Sequence, residues 1–161
     1  MAVDYFLKIK GVEGESKDSK HPNEIQLESW SFGETQSGSF SYGGGGGAGK
    51  VQMQDFHFVM KSNKASPKLF EKCATGEHIG DAILTARKAG TEQQDFLKWT
   101  FTDLLVSSFQ TGGQAHGDDI PMDSISFNFA KVEVEYKEQD AKGQLGGPIK
   151  AGYDLKKSQK V

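Results

Sequence analysis

Cysteine is nearly absent from the sequence: Cys73 stands alone in 161 residues. No disulfide can form within the chain, so the fold does not depend on an oxidising compartment. Long apolar runs are missing too. No stretch approaches the roughly 20 residues that a helix needs to cross a bilayer. The first residues, MAVDYFLKIKGVEGES, lack the apolar segment behind a basic start that marks a secretory signal. The expectation is a soluble chain, cytoplasmic as made, which would leave the cell only by a route that reads no cleavable signal. Charge of either sign is not in excess. The formal net charge is −3, and no run of like charge is long enough to form a tail, so neither nucleic acid nor membrane insertion is expected.

The residue patterns of common chemistry are also missing. His21, His57, His78 and His116 have no second His or Cys at metal-ligand spacing. Cys73 has no nearby base and reads as a small buried hydrophobe. No G-x-S-x-G elbow occurs. Asp118 with Asp119 falls in a loop, and Glu133 with Glu135 falls on one strand face, where like charges mark a solvated surface. No catalytic residue, metal or cofactor is expected, and the chain is read as a non-enzyme.

One motif imitates such chemistry. In SYGGGGGAGKVQMQDF, Ser41 to Phe56, six glycines fall within seven residues. Gly44 to Lys50 matches G-x-x-x-x-G-K, and Gly44, Gly46 and Gly49 match G-x-G-x-x-G. A phosphate loop needs Ser or Thr after the lysine to ligate magnesium, and a helix whose N-terminal N–H groups cradle the phosphate. Val51 takes the first place, and a strand-like alternation takes the second. Fixing a backbone costs roughly 1–2 kcal/mol per residue, and glycine is the worst case. Ordering six glycines therefore costs about 6–12 kcal/mol, comparable with the whole stability of a small domain, about 5–15 kcal/mol. The expectation is that a surface outside the monomer orders this loop.

Elsewhere, apolar residues recur with period two. Tyr5, Leu7 and Ile9 predict a first strand. Ile25 and Leu27 begin a second, and the apolar phase then flips to Trp30 and Phe32. Val51 and Met53 are followed by a flip to Phe56, Phe58 and Met60. Ala82, Leu84 and Ala86 predict another strand; Leu97, Trp99 and Phe101 predict one more, running on to Phe109. Ile125, Phe127 and Phe129 share one face, and Val132, Val134 and Tyr136 the other. Such flips imply β-bulges in bent strands that pass between two layers, as in a small barrel or sandwich. The apolar excess on the last strand fits either a protein interface or a two-layer core with bulges. One helix is predicted over about residues 66–75, with Ser66 as N-cap, Pro67 at its first position and Gly76 past its end. Leu69, Phe70 and Cys73 form its apolar face. Tyr153 and Leu155 predict a short terminal strand. One domain spanning residues 1–161 is expected.

The stretches YFLKIKGVEGESKDSKHPNEIQLESWSFGETQSGS, GGGGGAGKVQMQDFHF, SPKLFEKCATGEHIGDAILTARKAG, LVSSFQTGG, SISFNFAKVEVEY and GGPIKAGYDL resemble the Hcp family, the haemolysin-coregulated tube proteins of the bacterial type VI secretion system. The resemblance runs in order over essentially the whole chain. It implies a mainly β fold, a small β-barrel of two packed antiparallel sheets with one short flanking α-helix. It implies a structural role: homohexameric rings that stack into a tube, inside a contractile sheath and behind a spike protein, with small effectors carried in the channel. The protein would be secreted by that route. On this reading Ser29 and Ser31, opposite Trp30 and Phe32, face the channel and its effectors. The extended glycine-rich loop, residues 33–50, reaches a neighbouring subunit or ring through Gly43, Gly44, Gly45, Gly46, Gly47, Gly49 and Lys50. The hairpin tip Lys88–Thr91, with Gly90, and the tail near Lys156 and Lys157 lie near opposite ring faces. The alternative is a monomeric small-ligand-binding β-barrel with a closed apolar pocket.

Overall fold

The computed structural model describes residues 2–38, 49–89, 93–117 and 119–161. Eleven strands and one helix occur among them: β1 Val3–Ile9, β2 Ile25–Gln26, β3 Ser29–Ser31, β4 Glu34–Gln36, β5 Val51–Met53, β6 Phe56–Lys61, α1 Ala65–Thr75, β7 Ile79–Lys88, β8 Gln94–Gly112, β9 Met122–Gln139, β10 Leu145–Asp154 and β11 Gln159–Lys160. All pairings are antiparallel. The main path runs β11-β10-β9-β8-β7-β1-β2, and β6 joins β9 while carrying β3 on its other side. The fold is mainly β with one helix. Its sheet folds over a shared core without closing into a barrel.

The fold-over happens at β9. Its first half pairs with β6, from Lys61↔Met122 to Phe56↔Phe127. Its second half pairs with β10, from Asp154↔Lys131 onward. β8 runs beside both halves. The apolar phase changes between Phe129 and Val132, where β9 leaves one layer for the other. β8 changes phase at the matching place: Phe101 and Leu104 are both fully buried, and Asp103 between them has φ 56°. The register with β9 is the same on either side of Asp103, so a left-handed residue, not an inserted one, turns the strand.

The other two phase flips are not bulges. Ile25 and Gln26 pair with β1, whereas Ser29 to Ser31 pair with β6. Likewise β5 pairs with β4 in a separate two-stranded ribbon, whereas β6 pairs with β3 and β9. At both places the chain breaks and changes partner, and the new partner fixes which face points inward. The true register shifts lie at Ala86/Arg87, Val106/Ser108 and Leu145/Pro148. The ribbon's first strand, β4, lies in the stretch read from the sequence as extended loop.

Phenylalanine fills the space between the layers. Phe101 is enclosed by Phe56, Phe127 and Phe129, with ring centroids at 4.8, 5.3 and 4.9 Å. The helix α1 lies over β8. Its start differs from the Ser66 cap expected above. Asn63 Oδ1 accepts from the Ala65 N–H at 2.8 Å, and Ser66 Oγ accepts from the Asn63 N–H at 3.0 Å. This reciprocal pair is a capping box with Asn63 in the cap role, so the helix begins before Ser66. The hydroxyls of Ser62 and Ser66 both donate to the buried Asp123, tying the helix start to β9. Gly76 ends the helix at φ 69° and donates its N–H to the Lys72 carbonyl. Leu69 is buried, but Phe70 turns outward, 60% exposed, edge-on to Phe109 at 5.9 Å.

Replacing Phe101 with Ala removes the ring that the other three surround. The expected loss is about 3–5 kcal/mol of unfolding free energy, read as a lower midpoint in urea with an unchanged slope.

Candidate functional site

Ser29 and Ser31 are exposed on β3, paired with Val59 and His57 of β6. Trp30 between them turns inward against Tyr5 and Phe56, at 5.8 and 6.1 Å. Phe32 packs on Trp99, Phe101 and Phe129. Ring burial on alternate residues therefore forces the serines out. The same alternation continues across the layer. Ser31 aligns with His57, Ser126 and Ser108; Ser29 aligns with Val59, Ser124 and Gln110. Cross-strand partners share a face, so these residues form one outward surface of five serines with His57, Val59 and Gln110 and no acid, lysine or arginine among them. His57 Nε2 and Ser124 Oγ hydrogen bond at 2.6 Å. The sequence reading found only Ser29 and Ser31 of this set. The signal for the others was the small polar residues alternating with aromatics in SISFNF, but joining the strands required their register.

The opposite half of the sheet carries a different outer surface. Lys98, Glu135 and Lys150 align across β8, β9 and β10, and Lys131–Glu133 and Lys137–Glu135 approach to 3.5 and 3.8 Å along β9. Such solvated pairs contribute little stability, but they make this surface charged where the serine surface is not.

Of the glycine-loop residues, Gly43, Gly44, Gly45, Gly46 and Gly47 lie outside the described residues, as does Gly90. Gly49 and Lys50 are exposed just before β5. A Cβ on Gly49 would lie 2.8 Å from the carbonyl carbon of Ser37, so glycine permits this close backbone approach. Lys157 lies in the turn between β10 and β11, where its backbone N–H donates to Asp154 Oδ1 at 3.0 Å. Nearby Lys156 Nζ is 3.7 Å from Asp103 Oδ2.

Gly49 and Lys50 also border a trough of about 720 Å³ beneath the β4–β5 ribbon. Phe32 and Met53 line one side, and Trp99, Val132, Val134 and Tyr153 line its sheet floor. Glu34, Gln36 and Ser158 stand among the lining residues. The Trp99 indole N–H is buried without an acceptor among the described residues, where an unmade hydrogen bond costs about 1–3 kcal/mol.

A fourth feature was not foreseen. The strap before β2 crosses the outer face of β1 and β7 and buries Phe6. The His21 ring stacks on Phe6 at 4.5 Å and 9°, and the Arg87 guanidinium carbon is 4.8 Å from the same ring centroid. His21 Nδ1 faces Glu24 Oε2 at 3.0 Å, and Nε2 faces Asp95 Oδ1 at 3.1 Å. Arg87, only 2% exposed, donates to Asp18 Oδ1 at 2.8 Å. The Arg87 hydrogen bond, then that of the Lys20 backbone N–H, holds the Asp18 carboxyl well below the usual carboxylate range. His21 was read from the sequence as an isolated histidine; its partners Phe6 and Asp95 are brought to it only by folding.

Among the described residues, no three His, Cys, Asp or Glu side chains are grouped to hold a metal, and no helix is long and apolar enough to cross a membrane. The fold and its surfaces define a β-structural protein that presents extended sheet faces. The sequence model described as "Type VI secretion system effector, Hcp" matches residues 6–136. The chain is 47% identical to "Protein hcp1" of Pseudomonas aeruginosa, with 98% of each chain covered. Among solved structures, "Structure of a type six secretion system protein" superposes with TM-score 0.94 at 30% identity, covering 99% of this chain and all of the other. Hcp1 from Salmonella typhimurium superposes with TM-score 0.80 at 36% identity, again over 99% of this chain and all of the other. The chain therefore belongs to the Hcp family of the type VI secretion system. It is a structural component of that system and not an enzyme.

The strap supplies a pH test. A carboxyl held low in the folded state stabilises it fully above the ordinary Asp value, near about pH 4, and loses that contribution as pH falls through the lower folded value. Asp18→Asn is expected to melt below the wild type at pH 7. The gap between the two melting midpoints should persist to about pH 5 and narrow in stronger acid.

Proposed function

We propose that the chain assembles into homohexameric rings and that the rings stack into the tube of a type VI secretion system. The tube would move within a contractile sheath behind a spike protein, carry small effectors in its channel, and leave the cell without a signal peptide. Residues 1–161 would act as one domain, with the loop over residues 33–50 and the helix near residues 66–75 as parts of it. No cofactor takes part in this role. The carrying observation is the relation to Pseudomonas aeruginosa hcp1 at 47% identity over 98% of both chains.

The serine surface supports a channel role for Ser29 and Ser31. A wall that passes different cargoes gains from small uncharged side chains, which neither trap nor repel a particular charge. The loop residues Gly43, Gly44, Gly45, Gly46, Gly47, Gly49 and Lys50 would touch an adjacent subunit or ring, and Gly90 and Lys157 would sit near opposite ring faces. A small-ligand barrel is the second reading, favoured by a trough whose volume of about 720 Å³ falls in the range of ligand pockets.

Sedimentation of the purified chain separates these readings: rings sediment near six chain masses, a ligand-binding barrel near one. Ser31→Gln should leave ring mass unchanged while reducing the effector that co-purifies with it; equal recovery would count against a channel position for Ser31. Deleting Gly43–Gly47 should leave the thermal melt intact and abolish tubes in negative-stain images; tubes at wild-type length would remove the loop from stacking.

A further inference from the structure

The serine surface holds one imidazole. His57 stands half-buried on β6, in register with Ser31 of β3 and Ser126 of β9. β3 adds Ser29, β9 adds Ser124, and β8 adds Ser108 and Gln110. None of these neighbours carries a charge. Formal charges stand at the edges of the surface instead. Asp55, two residues before His57, accepts a hydrogen bond from the Ser107 hydroxyl. At the other end of β6, Lys61 Nζ is 4.0 Å from Glu28 Oε1. Imidazole is the side chain whose ordinary charge change falls between about pH 5 and pH 8.

The local geometry lets this ring change charge in place. His57 Nε2 meets Ser124 Oγ at 2.6 Å. A hydroxyl both donates and accepts. It donates to Nε2 of a neutral ring that carries its proton on Nδ1, and it accepts from Nε2–H of a protonated one. The bond survives either state, so protonation adds a charge without moving the side chain. His21 is held differently, with its two nitrogens facing the carboxylates of Glu24 and Asp95 under the strap. No residue in register with His57 is acidic, so its charge is available to a molecule outside the chain.

We propose that His57 is a proton-operated switch of cargo preference, a reading that rests on the channel role of this surface. With the ring neutral, the serine surface passes cargo without regard to charge. With the ring protonated, it holds acidic polypeptide segments. Each chain of a ring contributes one such charge to the same wall, and a concave wall of one sign concentrates molecules of the other. The serine hydroxyls and the Gln110 amide supply hydrogen bonds to a peptide backbone. A nucleic acid calls for clustered lysine and arginine, and this surface has neither. One solvated contact between a carboxylate and an imidazolium favours binding by about 1.5- to 5-fold.

The probe is a fluorescently labelled oligo-aspartate peptide, with an oligo-lysine peptide of equal length as its counterpart. Aspartate keeps its charge at about pH 5.5 and above, so the probe does not titrate in the window used. Anisotropy is read on the purified assembled chain at about pH 5.5 and about pH 8, with sedimentation and thermal melting at both. The expected result is oligo-aspartate bound at least about fivefold tighter at the lower pH, no such gain for oligo-lysine, and loss of the difference in about 0.5 M salt. His57→Ser and His57→Gln should bind oligo-aspartate weakly at both pH values, and His57→Lys tightly at both. A wild type without pH dependence overturns the switch and leaves the ring reading standing. So do Ser and Gln variants that keep the full wild-type dependence. A wild type that runs as a monomer overturns the ring reading, and the channel wall with it.

Discussion

The constraint on which the structure depends is the exchange of partners along β9. One continuous strand hydrogen bonds to β8 throughout, to β6 over its first half and to β10 over its second. A strand has only two edges, so the sheet must fold over where β6 gives way to β10. Each half then turns a different set of alternate residues inward: Ile125, Phe127 and Phe129 first, Val132 and Val134 afterwards. Phe101 sits at the fold, with the rings of Phe56 and Phe129 at 4.8 and 4.9 Å. Burial of these aromatics is the main stabilising term, and it is available only when β9 serves both layers.

The same exchange sets the outer surfaces. Where β9 runs with β6, its outward residues are Ser124 and Ser126, in line with Ser29 and Ser31. Where it runs with β10, they are Lys131, Glu133 and Glu135, the last in line with Lys98 of β8 and Lys150 of β10. One side of the protomer thus carries a serine-rich patch and the other a row of charged residues. In the proposed ring, this asymmetry decides which surface is suited to line a channel. The apolar face behind the charged surface extends past its cover, leaving Tyr136 and Ile149 exposed.

The local features could be read from the sequence, and the non-local ones could not. Alternation marked most strands, and each phase flip located a real change of environment. The physical cause was misjudged at Leu27 to Trp30 and at Met53 to Phe56, because a bulge and a change of pairing partner give the same pattern. Gly76 marked the helix end because a left-handed cap is a local demand. Ser66 misled because its hydroxyl serves a capping box begun by Asn63 and also a bond to Asp123, which is distant in sequence. The burial of Phe6 depends on His21 and Arg87 converging from other segments. The serine surface and the uncovered apolar rows exist only through register between strands, which no single segment encodes.

The central claim is that the two halves of β9 present different surfaces to different neighbours in an assembly. A side-chain-resolution electron cryomicroscopy map of the assembled wild type tests it most directly. The predicted map has Ser31 and Ser124 on the channel wall and Lys98, Glu135 and Lys150 turned away from it. A map with Lys98, Glu135 and Lys150 lining the channel and the serines facing outward would contradict it.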